Sequence, residues 1–63
     1  MSKYSGLDKI DLDGLSLVET YMGCKIYKDS DGRFSVAKRG FEIDSGFNDL
    51  HGAQEIADWF VSD

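Results

Sequence analysis

Cys24-Lys25-Ile26-Tyr27-Lys28-Asp29-Ser30-Asp31-Gly32-Arg33-Phe34-Ser35-Val36-Ala37-Lys38-Arg39-Gly40-Phe41-Glu42-Ile43-Asp44 is the stretch whose reading decides the fold. Its side chains alternate. Cys24 and Ile26 fall on one face and Lys25 and Tyr27 on the other; Phe34 and Val36 then alternate with Arg33, Ser35 and Ala37. That period of two is the mark of strands with one buried face. Between the two runs, Asp29-Ser30-Asp31-Gly32 has the chemistry of a hairpin connection, because Asp and Ser suit the early turn positions and Gly accepts positive φ at the end. Arg39-Gly40 turns the chain again, and Phe41 and Ile43 return to the buried face.

Outward from this centre the pattern extends both ways. Upstream, Leu17-Val18-Glu19-Thr20-Tyr21-Met22 is rich in β-branched and aromatic residues and predicts a further strand, with Gly23 marking a tight turn or a bulge before Cys24. Downstream, Ser45-Gly46-Phe47 reads as a loop, Asn48 as the N-cap, and Asp49 as a carboxylate at the positive end of a helix running to about Val61. Leu50, Ala53, Ile56, Ala57, Phe60 and Val61 make one apolar stripe, with His51, Glu55 and Asp58 on the other side. Gly52 costs about 1 kcal/mol of helix propensity, which suggests close approach to the sheet.

The expected architecture is therefore α+β, a three- to four-stranded antiparallel sheet with one C-terminal helix packed on one face. Residues 15–63 form this single domain and residues 1–14 a partly ordered N-terminal arm, in which Ile10-Asp11-Leu12 alternates as an edge strand would and Asp13-Gly14 supplies a turn. The expected core is Ile26, Phe34, Val36, Phe41, Ile43, Leu50, Ala53, Ile56, Ala57 and Phe60. The opposite sheet face, lined by Lys25, Tyr27, Arg33, Ser35, Ala37, Arg39 and Glu42, is expected to be open to solvent or to a partner.

Composition narrows the function. A chain of 63 residues buries only about 60% of its unfolded surface, enough for one core. Hydrophobic residues at 41% and aromatics at 13% are too many for a disordered chain. Twelve acidic against seven basic residues give a net charge of −5, which repels nucleic acid on average and suits a basic partner. Cys24 is the sole cysteine, so no disulfide can form within the chain; it reads as a small buried hydrophobe, and the expected setting is a reducing cytoplasm. The sequence shows neither an apolar run long enough to span a bilayer nor a signal-peptide core after Met1, so a soluble, intracellular protein is expected.

Motifs with chemistry fail on spacing. Calcium binding at Asp29-Ser30-Asp31-Gly32 would need an acidic ligand where Tyr27 stands and a glutamate where Lys38 stands. His51 precedes Glu55 by one helical turn, the geometry of a base oriented by a carboxylate, yet no nucleophile accompanies the pair. The sequence contains no glycine-rich phosphate loop and no paired Cys or His ligands. No metal, cofactor or turnover is expected. Trp59 belongs at the core boundary, either covering the sheet edge or facing a partner, since tryptophan is enriched among binding anchors.

From Ile26 to Phe60 the chain resembles the three-strand-plus-helix arm-binding module of tyrosine integrases, over a little over half its length. The resemblance is carried by the strand ending at Lys28, the Asp31-Gly32 turn, Phe34, the Gly40 turn, and Gly46-Phe47 leading into a helix with Ala53 and Trp59. It implies an open sheet face that enters the DNA major groove, with Lys25, Lys28, Arg33, Lys38 and Arg39 as phosphate or base contacts. In size, charge and layout the chain also looks like small accessory proteins of phages and mobile elements, including anti-CRISPR and anti-restriction inhibitors, some of which imitate nucleic acid. The leading expectation is a non-enzymatic protein-binding module for a basic partner, with Tyr27, Asp29, Asp31, Arg33, Ser35, Ala37, Glu42, Asp44 and Trp59 as contact residues. The alternative is a small DNA-binding module using the open face.

Overall fold

The computed structural model describes residues 7–62; residues 1–6 of the expected arm and Asp63 lie outside the described residues. Four strands and a helix follow in chain order: β1 Ser16–Tyr21, β2 Cys24–Lys28, β3 Phe34–Lys38, β4 Phe41–Phe47 and α1 Leu50–Ser62. The strands pair antiparallel in the order β1-β2-β3-β4, each with its neighbour in sequence. The expected α+β fold is the observed one.

Local chemistry explains each connection. β1 to β2 and β3 to β4 are two-residue hairpins, closed by the pairs Tyr21↔Cys24 and Lys38↔Phe41. Their central residues, Met22 (φ 51°) and Gly23 (φ 83°) in one and Arg39 (φ 55°) and Gly40 (φ 83°) in the other, are all left-handed, as a type I′ turn requires to match the twist of the strands. The longer connection between β2 and β3 is built around Asp29. Its Oδ1 accepts hydrogen bonds from the backbone N–H groups of Asp31 and Arg33, both at 2.9 Å, while its carbonyl accepts from Gly32 at 3.1 Å.

Two features depart from simple alternation. The seven residues of β4 lie opposite the five of β3, and the excess is taken up by bulges: the pairing jumps from Asp44 to Glu42 and from Phe47 to Ser45. The expected loop Ser45-Gly46-Phe47 is thus the end of β4, carried past the second bulge, and it brings Phe47 opposite Phe34 and against the core. The helix begins one residue later than expected. Asp49, not Asn48, is its N-cap, with its Oδ1 accepting from the Gly52 N–H at 2.8 Å.

The core lies between α1 and one sheet face. Cys24, Ile26, Val36, Ala53 and Ala57 are fully buried there, joined by Phe60, with Tyr21, Phe34, Ile43, Phe47, Leu50, Ile56 and Val61 packed around them. Small Ala53 and Ala57 let the helix lie close, and a Cβ at Gly52 would stand 3.5 Å from the Phe47 ring and 3.3 Å from the Asp49 carboxylate. Gln54 ties the helix to the sheet edge by donating from Nε2 to the Glu19 carboxylate at 2.8 Å. Phe41 is the exception among the expected core residues. It is half-buried outside this cluster, at the β4 edge where it bridges to Lys9 of the arm.

Candidate interaction surfaces

The nine expected contact residues fall in separate places. Tyr27, Ser35, Ala37 and Glu42 do share the face opposite the helix, because Tyr27 pairs with Ser35 and Ala37 with Glu42. Asp29, Asp31 and Arg33 sit together in the β2–β3 turn. Asp44 is exposed beside a β4 bulge, where its Oδ1 accepts from the Ser45 N–H at 2.8 Å. Trp59 lies on the helix, across the molecule from the first group.

The face opposite the helix is open only in part, with Lys25 and Arg39 exposed and Tyr27 and Glu42 half-buried. Ser35 is 7% exposed and Ala37 2%, which corrects the expectation that both face solvent. Both are short side chains on a strand flanked on either side, so larger cross-strand neighbours such as Tyr27 and Glu42 overshadow them. The arm adds a second layer. It is pinned to the β4 edge by the Ile10 N–H donating to the Gly40 carbonyl and the Glu42 N–H donating to the Asp8 carbonyl, both at 2.9 Å, and it must reach β1 at the opposite edge. On its way Ile10 and Leu12 roof a cavity of about 350 Å³ whose floor includes Lys25, Tyr27 and Ala37. Arg33 stands outside β3, exposed in the turn.

Asp29 has a structural task, since its carboxylate organises the turn. Asp31 is exposed at the tip. The tryptophan departs furthest from its expected place: Trp59 is 62% exposed, well outside the core boundary, in a shallow depression with Glu55, Asp58 and Ser62.

The groups with potential reactivity are dispersed. His51 Nε2 lies 3.9 Å from Glu55 Oε1 with both side chains largely in solvent. Burial pushes the Cys24 thiol above its ordinary value, and the nearby Lys38 ammonium partly offsets this, so the thiolate is disfavoured. Among the described residues, no three His, Cys, Asp or Glu side chains converge as metal ligands do, and no helix is long and apolar enough to cross a membrane.

What sequence reasoning missed is the cavity beneath the arm, with Ile10 and Leu12 over the face that Lys25 and Arg39 were expected to line. The available signal was the alternation of Ile10-Asp11-Leu12, which placed an edge strand but not the face it would cross. The arrangement defines a class, a four-stranded antiparallel meander backed by a C-terminal helix and crossed in front by its own arm. Comparison with known proteins adds no closer kinship, as no protein family, curated protein or solved structure matches the chain.

Proposed function

We propose that the chain is a non-enzymatic accessory module that binds a protein with a basic surface, acting in a reducing cytoplasm. The observation that carries this reading is on the outer side of α1. Trp59 stands exposed beside Glu55 and Asp58, on a helix that contains neither Lys nor Arg. An indole face attracts a guanidinium or ammonium group, adjacent carboxylates pair with it, and the net charge of −5 steers a cation towards the site. Size, charge and layout suit an inhibitor of the phage or mobile-element kind, including one that imitates nucleic acid. The burial of Ser35 and Ala37 gives less support to DNA contact through the sheet face.

Trp59 is the only tryptophan, so its fluorescence tests the reading directly. An Arg- and Lys-rich peptide should shift its emission saturably at low salt, with affinity falling as salt rises. Trp59→Ala, followed by a readout other than fluorescence, and the pair Glu55→Lys with Asp58→Lys should each remove binding. Duplex DNA is the opposing probe. If the chain retains DNA through Lys25, Arg33 and Arg39 and ignores the peptide, the protein-binding reading fails.

A further inference from the structure

The two edges of the sheet are finished differently. At β4 the arm closes the edge, through the bridge of Lys9 to Phe41 and the hydrogen bonds it exchanges with Gly40 and Glu42. At β1 no described strand pairs beyond it. The two-residue hairpin closes on the hydrogen-bonded pair Tyr21↔Cys24, so the preceding residue, Thr20, directs its N–H and carbonyl away from β2 to the free edge. Native edges of this kind are usually blunted by lysine, proline, a bulge or an inward charge. Ser16–Tyr21 has a bulge between Leu17 and Glu19 but neither a basic residue nor a proline, and its one charged side chain, Glu19, accepts from Gln54 of the helix.

This edge is apolar. Of the five large hydrophobic side chains exposed among the described residues, four, Leu12, Leu17, Val18 and Met22, lie on β1 or in the segments that flank it. The charges at its two ends are opposite. Asp11 and Asp13 precede β1, whereas at its far end Lys25 pairs with Thr20, and Lys38 Nζ would lie 3.6 Å from a Cβ at Gly23. A chain of 63 residues with a single cysteine has no internal disulfide to support its core, and association is one of the ways domains of this size gain stability.

We propose that β1 pairs antiparallel with β1 of a second copy about a two-fold axis, joining the two sheets into one. The axis lays the acidic start of each strand beside the basic end of the other, and covers Leu17, Val18 and Met22. A basic partner finds less here, because the only carboxylate of β1 is engaged by Gln54. Since the arm closes β4, assembly stops at two copies. The edge is apart from the Trp59 surface on α1, and the inference does not rest on that surface.

The test is sedimentation velocity of the full chain from about 10 μM to about 1 mM, the range of a small interface, at about 0.15 M salt, where net charge is screened. Monomer should give way to dimer and to nothing larger, and the Thr20 amide should exchange with deuterium more slowly as concentration rises. Leu17→Lys together with Val18→Lys sets like charges along the seam and should weaken the dimer at least about tenfold. Thr20→Pro deletes the outward donor without adding charge and should weaken it to a similar degree. All three positions are exposed, so native circular dichroism in the variants separates lost association from lost folding. The proposal is overturned if the chain stays monomeric throughout, including where β1 then takes up only an apolar peptide of another protein. It is equally overturned if larger species form, or if the two lysines leave dimer affinity intact.

Discussion

The two faces of the sheet are made from alternate residues of the same strands, yet they are covered in different ways. On one, α1 presses Ala53, Ala57 and Phe60 onto Cys24, Ile26 and Val36, and nothing of the five aliphatic and thiol side chains at the centre reaches solvent. On the other, a strap of irregular chain lays Ile10 and Leu12 over Lys25, Tyr27 and Ala37 and leaves a cavity between the layers. A helix offers a continuous apolar stripe with its backbone satisfied internally, whereas a strap must find partners for its backbone groups at the β4 edge and has few side chains to spare. Tight packing gives stability to one face, and loose packing leaves a cavity on the other.

The same truncation made on each face tests this contrast most strongly. Ile26→Ala, at a fully buried position, should cost about 2–5 kcal/mol and bring the chain close to unfolding, measured by chemical denaturation. A loss under about 1 kcal/mol would mean that the helix-side core is not the stabilising one. Next in size, Asp49→Ala should cost about 1 kcal/mol by uncapping α1, and Asp49→Asn should restore most of it; an equal loss from Asn48→Ala would return the cap to the position first expected. Ile10→Ala removes the same atoms as the first variant from a half-buried site beside an existing cavity, and less than about 1 kcal/mol should be lost. Smallest of all, Leu12→Ala should change stability by no more than about 0.5 kcal/mol. Equal penalties for the two isoleucines would erase the distinction between the faces.

β2, β3 and α1 were legible in the sequence because their apolar residues keep a strict period, two in Cys24–Lys28 and Phe34–Lys38 and helical in Leu50–Ser62. The far end of β4 was not, since each bulge inserts a residue and resets the alternation; Gly46 reads as a loop until Phe47 is seen opposite Phe34. The exposure of Ser35 and Ala37 was misjudged for another reason. Alternation assigns a residue to a face but does not say what lies above that face, and the strap that covers it meets the sheet edge, among the described residues, through the bridge of Lys9 to Phe41. Trp59 was displaced outward because six other apolar helix residues, Leu50, Ala53, Ile56, Ala57, Phe60 and Val61, already fill the stripe. Among the candidate contact residues, the charge excess and the shared face of Tyr27, Ser35, Ala37 and Glu42 could be read in advance; the full exposure of Trp59 and the cavity could not, since both depend on contacts between distant segments.

The unbroken strand order has a kinetic consequence. With each strand hydrogen-bonded to its neighbour in sequence, joined by two-residue turns at Met22-Gly23 and Arg39-Gly40 and the Asp29-centred turn between them, the sheet is assembled from contacts of short sequence separation. Such topologies close small loops first and fold fast for β-rich chains. The strap is the exception, because docking Lys9 on Phe41 closes a loop around the entire hairpin series and needs β4 as its template. It should therefore be the last segment to arrive and the first to leave, with the Ile10 and Glu42 amides exchanging with deuterium well before those that join β2 to β3.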